Sequence, residues 1–170
     1  IVGYLIKYYI KMANLVLVFS SYFAVVLHLW VNFIIAYDTW WIWKRSMILV
    51  TFSRALCLLG TFTSIWNHSV TTERAKTSDR VVIRTAALLN ILSVPSIQRV
   101  ELQFLVLSML LISLASYILA KMADSQMSST CNPVKIQRFR LNRDIFHITV
   151  HASGTIADII IASFAGRKIN

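Results

Sequence analysis

The chain has 170 residues, 57% of them apolar, and its 17 Lys and Arg outweigh 7 Asp and Glu to give a formal net charge of +10. Only four glycines and two prolines are present, and the mean hydropathy is positive, which excludes an ordinary soluble domain. The basic residues gather between long apolar runs, where they serve as topology signals and headgroup contacts, so nucleic acid is set aside as a partner.

In chain order, 1–12 carries Lys7 and Lys11 among Tyr4, Tyr8 and Tyr9 and is expected to lie in the membrane interface, leading into the first span. A helix needs about 20 apolar residues to cross the hydrocarbon, and 15–36, 47–67, 102–120 and 145–165 meet that requirement. The segment 80–97 is interrupted by Arg84 and Asn90 and stops near Pro95, and is counted as a fifth span that crosses by local thinning or shielding. Trp40, Trp41 and Trp43, followed by Lys44 and Arg45, form an aromatic and basic belt at a membrane boundary. The stretch 123–142, with Asn132-Pro133 and then Lys135, Arg138 and Arg140, is expected to be a polar loop. Cys57 and Cys131 sit at different depths, which disfavours a disulfide between them. The reading is therefore an all-α polytopic membrane bundle, a single domain over 1–170 with about five transmembrane helices.

Five spans fix which segments share a side. Lys7, Lys11, Arg74, Lys76, Arg80 and Lys121 fall on one side together with Lys135, Arg138, Arg140 and Arg143, against Lys44, Arg45, Arg99, Arg167 and Lys168 on the other. The richer side is expected to face the cytoplasm or its organellar equivalent.

Three of the four histidines stand in patterns that one metal ion could unite. Ser64 and His68 are four residues apart, as are His147 and His151, and that spacing puts each pair on one helix face. With the topology above, His68 ends the second span, Asp79 opens the third, and His147 and His151 lie in the first turns of the fifth, all at one membrane level. Catalytic zinc sites use three protein ligands and keep a fourth position for water, whose pKa falls to about 7. His68, His147 and His151 are thus the candidate zinc ligands, Asp79 the group that orients or deprotonates the water, and Ser64 the donor to a developing oxyanion. Asp79, preceded by Ser78, also suits the N-cap of the third span. His28 has no partner at helical spacing and is not included.

Two further charges fall inside spans, Arg54 and Asp158. At 1.5 Å per residue, Arg54 lies about 21 Å from His68 and Asp158 about 16 Å from His147, so the two are expected within about 5 Å axially and to form an ion pair.

The order Ser64-x-x-x-His68, Asp79 and His147-x-x-x-His151 resembles the superfamily of alkaline ceramidases and of progestin and adiponectin receptors. The resemblance implies an intramembrane zinc site with His68, His147 and His151 as ligands and Ser64 and Asp79 beside the metal-bound water. It extends from the second span to the last. Five spans where the family has seven imply two helices missing between the third and the last, and a cavity that is open, reshaped or closed by another subunit. The stretch 1–14 carries no carboxylate, so the calcium site of the ceramidases has no counterpart there, and the charge partition places the site on the side expected of the receptor branch. The function expected is zinc-dependent hydrolysis of a lipid amide or ester within the membrane. The alternatives are an accessory subunit of a larger membrane assembly, with zinc as a clamp or the site vestigial, and a lipid sensor without turnover.

Overall fold

A long apolar run surrounded by lipid can satisfy its peptide groups only by coiling into a helix, and the described apolar stretches are helical. The computed structural model describes residues 15–30, 45–70 and 72–165. Helix α1 is described over Leu15–Trp30, α2 spans Arg45–Ser69, α3 Glu73–Ser93, α4 Val100–Ser128 and α5 Pro133–Phe164, with a 3₁₀ turn at Val94–Ser96 between α3 and α4. The architecture is an all-α bundle. Among the described residues, α2, α4 and α5 are long and apolar enough to cross a membrane. The expected interfacial segment 1–12, the aromatic belt and the end of the first span, 31–36, lie outside the described residues.

Three boundaries differ from the sequence reading. Most of the expected polar loop 123–142 is helical, and only 129–132 separate α4 from α5. The cause is a strong start signal: Asn132 Oδ1 accepts from the backbone N–H groups of Val134 and Lys135 at 3.0 and 3.3 Å, and Pro133 occupies the first helical position. Beyond it, Ile136, Phe139, Arg140 and Arg143 keep a helical stripe half-buried while the remaining charges face outward, so polarity here marks an amphipathic extension. The third helix begins seven residues before position 80, at Glu73, because Thr72 caps it by accepting from Ala75 N at 3.2 Å. Asp79 is consequently in the second turn of α3, and its expected role as an N-cap is not realised. The crowding of Glu73, Arg74, Lys76, Asp79 and Arg80 into the first half of α3 is what keeps this helix outside the set able to cross by length and apolarity.

The helices pair as two antiparallel hairpins, α2 with α3 and α4 with α5, which meet through α2–α5 and α3–α5 contacts. Polar clamps set the register of the first hairpin: Ser53 donates to Asn90, which in turn donates to Cys57 Sγ at 3.6 Å, and farther along Thr63 and Asn67 reach Asp79. In the second hairpin the inward positions of α4 are chiefly small, with Ser116, Ala120 and Ala123 buried, which lets α5 approach closely. Val50, Val94, Ile97, Val106, Ala157 and Ile161 close the end of the bundle remote from the histidines. Outward faces carry Phe19, Phe23, Phe104, Leu111 and Leu114, all exposed. Such a surface is suited to lipid.

Candidate metal centre

Ser64 and His68 occupy the last two turns of α2, and His147 and His151 sit one above the other on α5 where it faces α2. The fold brings all three sequence-selected histidines together. Their ligand-capable atoms lie within 4.8 Å of one another, and they form the one His/Cys/Asp/Glu group among the described residues able to hold a metal ion. His68 Nε2 and His147 Nε2 are 3.0 Å apart. The rings meet edge to face, with centroids 4.8, 5.0 and 6.3 Å apart and interplanar angles of 83°, 67° and 75°, so their nitrogens converge without stacking.

A donor set of this kind can be tested against zinc. With Zn–N bonds of about 2.0–2.1 Å and tetrahedral angles, ligand nitrogens should stand about 3.4 Å apart. The observed separations run from 3.0 Å to at most 4.8 Å, so the three half-buried imidazoles fit one such ion with side-chain adjustments of little over 1 Å. No hard carboxylate ligand belongs to the group, which suits zinc better than calcium or magnesium.

The two accompanying residues are also placed. Ser64, fully buried, approaches His151 Nε2 through Oγ at 3.3 Å and so fixes that ring. Asp79 lines the same cavity as His68 and His147. Its carboxylate accepts from Asn67 Nδ2 at 2.9 Å and from Thr63 Oγ1 at 3.3 Å, which holds it against α2 rather than against the imidazoles. Asn67 and Thr63 were not selected from the sequence; their one usable signal is that they flank Ser64 and His68 on α2.

Openings reach the cluster from more than one side, including a small cavity of about 100 Å³ that joins His151 to His28 and Cys57. A larger cavity of about 330 Å³ has Asn67, His68, Asp79, Tyr117 and His147 on its wall. An almost wholly apolar groove of about 300 Å³ lies between α1 and α5, lined by Phe23, Leu27, Ile148, Ile156 and Ile159 and reaching His151.

The expected Arg54–Asp158 ion pair is not formed. Asp158, 2% exposed, instead pairs through Oδ2 with His28 Nδ1 at 2.9 Å, and both side chains are buried. Counting residues along α2 and α5 sets height but not the direction around the helix axis, and α1 supplies the partner. His28 is therefore a buried counter-group that sequence spacing could not reveal. No family model, curated protein or solved structure matches this chain.

Proposed function

We propose that this chain is a zinc-dependent membrane hydrolase that cleaves a lipid amide or ester, the function that the resemblance to the ceramidase and receptor superfamily implies. The observation that supports this reading is the position of three converging imidazoles at the junction of a polar cavity and an apolar groove. A lipid has the same division. Its acyl chain suits the groove between α1 and α5, its polar part suits the cavity, and the bond joining them comes beside His68, His147 and His151.

Zinc, when bound by these three residues, supplies Lewis-acid polarisation of a carbonyl and activation of water. Asp79 is the carboxylate in the cavity wall and takes the role of general base, then general acid to the leaving group. Thr63 and Asn67 hold it in one orientation while it does so. Ser64 positions His151 and offers its hydroxyl to the developing oxyanion. The apolar walls of the groove restrict bulk water to the polar side.

In this reading the protein is multi-pass, with about five spans, the site on the N-terminal, cytoplasmic-like side, and substrate entering sideways from the bilayer. A second reading, an accessory subunit in which zinc clamps helices, is favoured by the fact that the cluster joins α2 to α5, which touch far less than the helices of either hairpin. Metal analysis of the purified chain against His147→Ala, followed by incubation with ceramides and acyl lipids, separates the two. Zinc in proportion to protein, lost in the variant, together with fatty acid release supports hydrolysis. Zinc without any release of fatty acid moves the conclusion to the clamp, and absence of zinc removes both.

A further inference from the structure

We infer that the cavity above the histidines recognises an anionic, phosphate-bearing lipid headgroup, which makes the substrate class of the proposed hydrolase an acidic lipid; the turnover part of this inference rests on the hydrolytic reading above, the binding part does not. Cations on one side of a membrane protein ordinarily reflect topology alone, and such residues are spread over loops and helix ends. Here four of them, Lys76, Arg80, Lys121 and Arg143, come from three helices to the wall of the cavity that contains His68 and His147, where they outnumber the two carboxylates, Asp79 and Asp124. Lys76 and Arg80 share a face of α3 because they are four residues apart. Lys121 and Arg143 face them from α4 and α5. Arg138 and Lys135, on the same end of the molecule, do not line the cavity.

The ion pairs already present leave three of these cations available. Arg143 is held by its neighbour Asp144 at 2.6 Å, with Asp124 at 3.7 Å, and serves as a fixed wall. Lys76 meets Glu73 at 2.7 Å, but this is an exposed helix-surface pair of the kind that exchanges readily for another anion. Lys121 is 3.9 Å from Asp124 and lies 5.9 Å above the centre of the Tyr117 ring, so its ammonium points along the cavity wall. Arg80 makes no ion pair among the described residues. A lipid whose chain occupies the apolar groove and whose polar part enters this cavity would present its phosphate to these three groups. An uncharged headgroup would leave Arg80 without an ion pair among the described residues.

The test uses the full chain in phosphatidylcholine nanodiscs loaded with zinc. Binding of lysophosphatidic acid and of the monoacylglycerol with the same acyl chain is measured by native mass spectrometry, and fatty acid release from each is followed in parallel. The phosphate-bearing lipid should bind at least tenfold tighter, and each of Lys76→Gln, Arg80→Gln and Lys121→Gln should reduce that preference by about fivefold. Lys135→Gln with Arg138→Gln, equal in charge change but away from the cavity, should leave the preference intact. If Lys76→Gln or Lys121→Gln does not fold, Arg80→Gln alone decides. Equal affinity for the two lipids, a preference unchanged in Arg80→Gln, or displacement by inorganic phosphate as effective as by the lipid overturns the inference. Preferential binding without hydrolysis of either lipid leaves the headgroup site standing and removes the hydrolase, whereas equal binding and equal hydrolysis does the reverse.

Discussion

Ser64 touches His151 at 3.3 Å without belonging to the three-imidazole group, so removing its hydroxyl isolates an orienting effect from a ligand effect. Ser64→Ala should weaken zinc binding by about tenfold to a hundredfold, the usual cost of losing an orienting partner, while His68→Ala, His147→Ala or His151→Ala should abolish stoichiometric binding; competition with a chromophoric chelator measures both. Because imidazole must be neutral to bind, acidification should release the metal together with proton uptake. His28 and Asp158 supply a second test. Asp158 Oδ1 is buried without a hydrogen-bond partner among the described residues, and Oδ2 makes the 2.9 Å contact with His28. His28→Ala should destabilise the protein by about 3–5 kcal/mol because it removes the ion-pair partner of a buried carboxylate, and the double change His28→Leu with Asp158→Leu should cost distinctly less. Thermal unfolding in detergent reads the cycle, and additive losses would remove the pairing argument. The contrast between these sites explains what the sequence could disclose. The histidine cluster able to hold a metal ion was legible because Ser64/His68 and His147/His151 each repeat at the helical interval within one segment, whereas the His28 contact joins two helices whose relative rotation no spacing rule fixes.

Helix boundaries follow the same division between local and non-local information. The apolar lengths of α2, α4 and α5 are written in their composition, and their presence was legible. The polar half of α5 was not, because a run containing Lys135, Arg138 and Arg140 looks like a loop unless its narrow half-buried stripe is weighed against the Asn132 cap. Asn132→Ala should remove the two backbone contacts that start α5 and cost about 1 kcal/mol, visible as a lower unfolding temperature and faster amide exchange over 133–136. Gly154, on the α5 face toward α4, tests how tightly that hairpin is packed. A Cβ built there would lie 3.8 Å from Ser113 Oγ, an ordinary contact, so Gly154→Ala should be tolerated and should gain about 0.5–1 kcal/mol from reduced freedom of the unfolded chain.

At the scale of the whole molecule, the two hairpins are each held by long helix–helix seams, but the seam between them is narrow, and the histidine cluster lies on it. A metal ion gripping α2 and α5 at that point adds its binding energy to the assembly of the hairpins, since the unfolded chain does not hold the three imidazoles together. Free zinc at about a hundred times its dissociation constant should stabilise the fold by about 2.7 kcal/mol. Treatment with a strong chelator should therefore lower the unfolding temperature of the wild type, zinc should restore it, and His147→Ala should respond to neither. A site-specific distance measurement between spin labels at Phe62 on α2 and Ile156 on α5, both exposed, would then show whether the loss is local. Broadening of that distance on metal removal, with an unchanged distance across the α4–α5 hairpin, places the weak seam where the cluster sits. A distance spread unchanged by metal removal at both places would mean that the hairpins are joined by their own contacts and that the metal adds nothing to their assembly.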